Sequence, residues 1–422
     1  MIRILRAVDS RLGGNLLFMF LMAVGAGLSL VRGFGAAVIL PAAEFGLYAL
    51  LVAVAAFVSS IAGFGKIEET RKLFPRMAVD GHGADIALMA DRLALLVALR
   101  LTLIAVPLCF ASTILLSLGW AAAIFATLVL IFGNAWCSIL ASALRAGPNL
   151  TQMGISTTVR AALTIIVTCI GAFQFGFSGA VFGEAFGAMI GGLLMRYYLA
   201  ATVFEKKSTP STLENHKKIS IAGIYVFIGS LAIAAPIYLG RSIVAVGYSD
   251  DVLATYSFLG LLVTSIIAIL GISDQMTGPK FVKSQHFSID RNQQLGFLRK
   301  ILISNMVVIL ISCTIFFIII FSSYFPFFKD KYNIKYIYII PITIYCIFQV
   351  TTTIDWFLQA INKEKRLMSA AVVQMTIFTL ASLVAISANV SIVWILWIHV
   401  VAKGMQLLIQ CYPLVPDPGP ER

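Results

Sequence analysis

The chain alternates between long runs of apolar residues and shorter polar segments. A helix of about 20 apolar residues is long enough to cross a lipid bilayer. Runs of that length recur throughout, so the pattern predicts an all-α, polytopic membrane protein with about twelve transmembrane helices. The predicted spans lie at 14–40, 45–65, 93–118, 120–143, 156–176, 179–201, 221–246, 252–274, 300–322, 334–358, 367–388 and 390–411.

The composition leads to the same class. Hydrophobic residues make up 60% of the chain and charged residues 12%, with a mean hydropathy of +0.95. A water-soluble fold could not bury that much apolar surface. The first apolar run continues past Leu30 and is interrupted only by Arg32, which favours an uncleaved first span over a signal peptide.

The basic residues predict the orientation. Of the 31 Lys and Arg residues, 24 fall on alternate connecting segments, and the opposite side has only Lys329, Lys331 and Lys335. Positively charged loops stay in the cytoplasm, so both termini are predicted to be cytoplasmic. The net charge of +12 then reflects topology, and no nucleic-acid partner is needed to explain it. Four arginines fall inside predicted spans: Arg32, Arg100, Arg196 and Arg241.

A polar interval, Glu205–Lys218, divides the chain into two halves of six spans each. We expect an N-terminal bundle at 1–204 and a cytoplasmic linker at 205–219. A C-terminal bundle at 220–412 and a cytoplasmic tail at 413–422 complete the predicted organisation.

The two halves resemble each other in sequence. Arg241 follows Arg32 by 209 residues, and Tyr256 follows Tyr48 by 208. A Leu-Arg-Ala segment that begins at Leu144 is matched 214 residues later by Leu-Gln-Ala. Because each half has an even number of spans, the copies point the same way across the membrane. Transporters use such parallel repeats to build two pseudo-symmetric six-helix bundles around a central cavity.

Several segments carry a resemblance to a known family. Residues 32–75 contain Glu-Phe-Gly-Leu-Tyr at 44–48, Gly-Phe-Gly at 63–65 and Arg-Lys-Leu-Phe-Pro at 71–75. With the segments 250–257 and 358–363, they resemble the Wzx-type polysaccharide flippases. Those proteins belong to the multidrug/oligosaccharidyl-lipid/polysaccharide (MOP) exporter superfamily. Many of its members have more spans than the twelve predicted here.

The resemblance implies a multi-pass transporter of the bacterial inner membrane. Its substrate would be an undecaprenyl-pyrophosphate-linked oligosaccharide, flipped from the cytoplasmic to the periplasmic leaflet by alternating access. The repeat units would serve a surface polysaccharide: O-antigen, capsule or exopolysaccharide. The implied partners are this lipid-linked glycan and membrane lipid, and docking to a polysaccharide polymerase and a chain-length regulator stays open.

The intramembrane arginines are the predicted substrate-binding residues. A charge in a span is costly unless it faces a cavity or a partner. Arg32 and Arg241 occupy equivalent places, so the repeat axis would bring them to opposite walls of one cavity, where guanidinium groups suit a pyrophosphate. Arg100 would receive the lipid phosphate first. The alternative for each is an extended side chain that reaches the membrane interface.

The intramembrane acids form a second predicted set. Asp355, Glu184 and Asp274 would bind a coupling proton or cation, or neutralise an arginine in the empty state. The alternatives for Asp355 are a structural ion pair and exposure at the membrane interface, and the alternative for Asp274 is exposure at the cytoplasmic face. Asn134 and His399 would either line the route or make hydrogen bonds between helices.

The sequence contains no motif for catalysis or for metal binding. The six cysteines stand singly, with no metal-ligand spacing and no pattern of disulfides. A phosphate-binding P-loop is absent, so we predict no catalytic residue, no metal and no resident cofactor, with proton or sodium coupling left open. Two alternatives remain: a cation-coupled small-molecule (multidrug) exporter, and a membrane glycan polymerase or ligase. The short outer segment Ser323–Asn333 argues against the enzyme.

Overall fold

The computed structural model describes residues 16–63, 65–79, 83–115, 118–147, 150–201, 221–286, 291–321, 326–361 and 363–412. Within these residues every regular element is a helix. The chain divides into two units, Met1–Gly223 and Ile224–Arg422. The predicted fold class, an all-α polytopic membrane protein, is therefore confirmed.

The first unit contains six described helices. They are α1 (Leu16–Ile39), α2 (Ala42–Ala62), α3 (Lys66–Val79), α4 (Gly83–Leu115), α5 (Leu118–Ala146) and α6 (Leu150–Ala201). Helix α6 packs along α1 and α5, and α5 also packs against α2 and α4. Small residues permit the close approach of these helices, since Gly183, Gly187 and Gly191 repeat every four residues along α6.

Helix α6 has a sharp break that separates two predicted spans. The 52-residue helix departs from helical geometry at Phe175 and Gly176, and Gly176 has φ 62° and ψ −147°. The freed backbone N–H of Phe177 donates a hydrogen bond to Glu44 Oε2 at 3.0 Å. Glu44 lies in the first turn of α2, so this helix supplies the acceptor that the restarted helix needs.

The second unit contains eight described α-helices. They are α7 (Ile221–Gly247), α8 (Asp250–His286), α9 (Arg291–Phe321), α10 (Pro326–Lys331), α11 (Ile339–Ile347), α12 (Thr351–Ala360), α13 (Glu364–Ser387) and α14 (Ile392–Cys411). Short 3₁₀ turns at Tyr336–Tyr338 and Phe348–Val350 precede α11 and α12. Helix α14 packs against α13 and α11, and α8 packs against α12.

Ten helical segments of the described residues are long and apolar enough to cross a membrane: nine are single helices, and the tenth is Tyr336–Gln359, which includes α11 and most of α12. One of them, α6, is long enough for two crossings, and α4 overlaps the third predicted span. Large apolar side chains such as Leu103, Phe173 and Val246 are more than three-quarters exposed. Apolar surface of this kind suits lipid better than water. The chain is thus a multi-pass membrane protein, while the cytoplasmic position of its termini stays a prediction.

The structure corrects several details of the sequence analysis. The predicted loop 66–92 contains α3 and the start of α4, and the predicted outer segment Ser323–Asn333 contains α10. Arg160 and Lys403, counted with the connecting segments, lie inside α6 and α14. The charge asymmetry that predicts topology is therefore slightly weaker than the sequence suggested. The predicted linker 205–219 and tail 413–422 lie outside the described residues.

Candidate functional site

A buried ion pair occupies the interior of the first unit. Arg32 Nη1 of α1 lies 2.8 Å from Glu184 Oε2 of α6. The Tyr48 hydroxyl of α2 donates a hydrogen bond of 2.5 Å to the other carboxylate oxygen of Glu184. Glu184 is 3% exposed, and both of its oxygens have a partner. A charge held in a low-dielectric interior requires such complete pairing.

This triad settles what balances the Arg32 charge in the structure. Glu184 neutralises the guanidinium, one of the two roles predicted for this acid. The Arg32 side chain is 22% exposed, so part of it stays open beside the ion pair. An anionic group that reached Arg32 would have to compete with Glu184. The predicted contact with a pyrophosphate stays a prediction.

The second unit holds its arginine differently. Arg241 of α7 is 6% exposed, and its one hydrogen bond is a long contact of 3.4 Å from Nη1 to the carbonyl of Ile237. No carboxylate of the described residues lies within 4 Å of it, and its neighbouring titratable groups are the tyrosines Tyr238, Tyr256 and Tyr345 and the imidazole of His399. Arg241 lines a cavity of ≈ 30 Å³ together with Tyr256, Tyr345 and His399. That volume holds about two water-sized groups.

The walls of the Arg241 cavity are polar but incompletely paired. The Tyr256 hydroxyl lies 2.6 Å from His399 Nε2, so these two groups form a hydrogen bond with each other. Arg241 Nε, Tyr345 Oη and His399 Nδ1 have no hydrogen-bond partner among the described residues. Gly260 allows the guanidinium to approach α8, since an added Cβ there would lie 2.7 Å from Arg241 Nη2.

The two arginine sites are related by the sequence repeat. Arg32 and Tyr48 correspond to Arg241 and Tyr256 at separations of 209 and 208 residues. In each unit the tyrosine hydroxyl bonds a residue of the last long helix: Glu184 in the first unit and, 215 residues later, His399 in the second. Both units thus have an arginine, a tyrosine and a third polar side chain at matching positions. The third side chain is a carboxylate in the first unit and an imidazole in the second.

A second polar cluster surrounds the two other predicted acids. Gln410 Nε2 of α14 donates a hydrogen bond of 2.5 Å to Asp355 Oδ1 of α12. Lys403, also on α14, is fully buried and has no hydrogen-bond partner among the described residues, and its charge acts on Asp355. Asp274 Oδ1 accepts a hydrogen bond of 2.8 Å from Thr353.

The burial of Asp274 corrects one expectation. The position near the end of a predicted span suggested exposure to the cytoplasm, but Asp274 is 3% exposed. The reason is that α8 continues to His286, so Asp274 lies well inside the helix. Thr353, its donor, also accepts a hydrogen bond of 3.0 Å from Asn305 Nδ2, which ties α8, α9 and α12 together.

The remaining predicted residues make separate contacts. Asn134 accepts a hydrogen bond of 2.7 Å from Arg160 Nη2, the interhelical role that was its alternative. Arg100 is half-buried in α4. Arg196 forms two hydrogen bonds to Asp91, at 2.8 and 2.7 Å, in a partly exposed pair. None of these contacts joins the Arg32 or the Arg241 site.

Sequence analysis missed Lys403 and the stripe of polar residues to which it belongs. His399, Lys403, Gln406 and Gln410 are each at most 4% exposed. Their spacing of four, three and four residues places them on one face of α14. That spacing was visible in the sequence, but Lys403 was assigned to the end of the chain. The tyrosines Tyr48 and Tyr256 were noticed only as markers of the repeat, although the shared offset already linked them to the arginines.

Comparisons with known proteins bear on the fold. No protein-family model matches the sequence, and no curated protein matches it either. Among solved structures, an outward-facing multidrug resistance MATE transporter of the MOP superfamily has a TM-score of 0.65 and 14% identity, over 94% of this chain and 93% of that one. A MATE transporter in complex with MaD3S has a TM-score of 0.64 and 14% identity, over 94% of each chain.

A third similar structure is a MOP superfamily transporter from Pyrococcus furiosus, with a TM-score of 0.57 and 12% identity. The match covers 94% of this chain and 95% of that one. At these identities the likeness concerns the fold. The chain therefore shares its fold with these solved structures.

Proposed function

We propose that the protein is an exporter that carries an anionic substrate, and that the substrate is an undecaprenyl-pyrophosphate-linked oligosaccharide flipped across the bacterial inner membrane. The transporter class is supported by the fold. The substrate rests on the sequence resemblance to polysaccharide flippases and on the electrostatics of the two arginine sites.

The observation that carries the proposal is the buried charge of Arg241, which has no carboxylate partner among the described residues. Burying a cation without a counter-charge costs free energy. An anion that binds beside the cation offsets this cost, so the site has a higher affinity for anions. A transporter of organic cations would be hindered by such a group. The Pyrococcus furiosus transporter is described as having a binding pocket of reverse polarity, which suggests a different function for it. Pocket polarity is therefore a reasonable guide to substrate class within this fold.

In the proposed mechanism, the arginines hold the pyrophosphate and Glu184 neutralises Arg32 whenever the substrate is absent. Binding of the pyrophosphate would displace Glu184 from Arg32, because a pyrophosphate carries more negative charge than one carboxylate. Alternating access would then move the site from one membrane face to the other. Asp355, Asp274 and Lys403 are the candidates for coupling this movement to a proton or a cation.

The test combines deletion with arginine variants. Deletion should cause lipid-linked oligosaccharide to accumulate in the cytoplasmic leaflet, measured by leaflet-selective labelling. Arg32→Ala and Arg241→Ala should each abolish most export of surface polysaccharide, and the double variant should be little worse, since both residues act on one ligand. Arg→Lys at either position should retain part of the export, because the positive charge stays but the planar guanidinium group, which can form two parallel hydrogen bonds, is lost.

A matched control is Arg196→Ala, which removes an arginine that is paired with Asp91 outside both sites and should leave export normal. Normal export by the Arg32→Ala/Arg241→Ala double variant would show that the pyrophosphate is held elsewhere, and Arg100 would be the next residue to test. The proposal also includes the location in the inner membrane and the direction of flipping, from the cytoplasmic to the periplasmic leaflet.

The second candidate function is a cation-coupled exporter of small molecules. The similar structures favour it more directly than they favour the flippase, since two of the three are described as MATE transporters and one of these as a multidrug resistance transporter. It predicts that deletion makes cells more sensitive to toxic small molecules and leaves surface polysaccharide unchanged. Measuring both phenotypes in one deletion strain separates the two functions. The polymerase or ligase alternative has no support from these transporter folds.

A further inference from the structure

The two arginine sites differ in one group, and this difference points to a ligand. In the first unit the triad is Arg32, Tyr48 and Glu184, so its charges cancel. In the second unit the matching triad is Arg241, Tyr256 and His399. An imidazole supplies no negative charge. Among the described residues, the second site therefore has no counterpart of the carboxylate that the first site contains.

The unpaired groups around Arg241 are all able to donate hydrogen bonds. Arg241 Nε–H and the Tyr345 hydroxyl have no partner among the described residues. When the Tyr256 hydroxyl donates to His399 Nε2, the neutral imidazole carries its proton on Nδ1, which is also without a partner. All three residues line one cavity and are at most 6% exposed. A buried site with a cation and several donors that have no acceptor among the described residues suits an anion.

The size of the cavity restricts the anion. The volume of ≈ 30 Å³ holds about two water-sized groups, which is enough for a monatomic anion, whereas a pyrophosphate would need the site to open further in another state of the transport cycle. Ile237, Val263, Ile342 and Leu396 form apolar parts of the wall, and they favour an anion that sheds its water easily.

We propose that the Arg241 cavity binds a free monatomic halide, with chloride as the physiological ion, and that this halide supplies the negative charge that Glu184 supplies in the first unit. The inference concerns the transporter without its substrate and holds for either proposed substrate class. When a lipid pyrophosphate is the substrate, the halide is the ion that it displaces from Arg241.

Halide binding can be measured on the purified full-length protein in detergent, without any lipid substrate. Sodium gluconate is replaced stepwise by sodium chloride or bromide at constant pH and ionic strength. The midpoint of thermal unfolding should rise saturably, by about 2–4 °C, because the ion binds the folded state. Broadening of the chloride-35 NMR signal reports the bound ion directly.

Variants assign the effect to the site. His399→Glu should restore the triad of the first unit, so the protein should stay folded and lose its response to halide. Arg241→Gln should also lose the response, and Tyr345→Phe should weaken halide binding about tenfold by removing one donor. The matched control is Arg32→Gln, which removes the equivalent arginine of the first unit and should keep the response.

The opposite results would overturn the proposal. They are a wild-type protein that does not respond to halide, or a response that persists unchanged in both His399→Glu and Arg241→Gln. A stabilisation through Arg241 by sodium pyrophosphate but not by halide would show that the site recognises phosphoryl oxygens instead. Because no substrate is present, none of these outcomes depends on whether the flippase proposal is correct.

Discussion

At the scale of single residues, the chain places charges in the membrane in two ways. Arg32 forms an ion pair with Glu184, whose other carboxylate oxygen accepts a hydrogen bond from a tyrosine, whereas Arg241 and Lys403 are buried without a hydrogen-bonded carboxylate among the described residues. Charges of the second kind are costly to keep.

Glu184→Gln should destabilise the protein by about 3 kcal/mol or more, because it leaves the Arg32 charge unbalanced in a largely buried site. Asp91→Asn removes the acid of the other ion pair in the same unit, where both side chains are more than one-third exposed, and should cost less than about 1 kcal/mol. The measurement is thermal or denaturant unfolding of both purified variants. Equal effects would mean that the Arg32 pair is as well solvated as the Arg196 pair.

Asp355→Asn and Lys403→Met should each destabilise the second unit, because each leaves the partner's buried charge unbalanced. The double variant should be more stable than the sum of the single effects predicts, by about 1–3 kcal/mol. Unfolding of the four proteins in a double-mutant cycle gives this coupling. Strict additivity would show that Lys403 does not balance Asp355, and that its counter-charge lies elsewhere.

At the scale of elements, the break in α6 positions the first site. Glu184 lies in the part of α6 that follows Phe175 and Gly176, so the direction of the restarted helix carries the carboxylate to Arg32. The Phe177 N–H that the break leaves free is bonded by Glu44. The two spans that the hydrophobic pattern predicts here are thus the two parts of α6, joined by a defined bend.

Gly176→Ala should destabilise the protein by about 1–3 kcal/mol. The backbone at Gly176 has φ 62° and ψ −147°, a region that is accessible mainly to glycine, and an added Cβ would lie 2.5 Å from Glu44 Oε2. Gly27→Ala is the matched control, since no atom lies within 4 Å of its added Cβ and alanine favours the helix. The unfolding midpoint should fall in the first variant and stay or rise in the second.

At the scale of the whole molecule, the chain consists of two units with matched arginines and tyrosines. The duplication explains why the same three-residue arrangement occurs in both units. The replacement of Glu184 by His399 at the matching place then gives the two units different electrostatics.

The predicted orientation can be tested by labelling. In a cysteine-free background, Ser211→Cys lies in the predicted cytoplasmic linker and should not react with a membrane-impermeant maleimide in intact cells. Asn333→Cys, on the predicted outer side, is exposed and should react. Reaction at position 211 and protection at position 333 would show that the protein has the opposite orientation in the membrane.

The sequence by itself determined the features that depend on local composition. Span length and apolar content are enough to predict a polytopic all-α protein, since only helices of that kind satisfy their backbone hydrogen bonds in lipid. The repeat was also visible, because Arg32 and Tyr48 recur as Arg241 and Tyr256 at one offset.

The tertiary structure decided which charges are paired. The Tyr48–Glu184 hydrogen bond joins residues 136 positions apart, and the Tyr256–His399 contact joins residues 143 apart. Such contacts depend on how each helix is rotated and packed, which a hydrophobic pattern does not specify. The same reason explains why Lys403 was assigned to the end of the chain: its burial follows from the face of α14 that packs inward, and only the folded bundle selects that face.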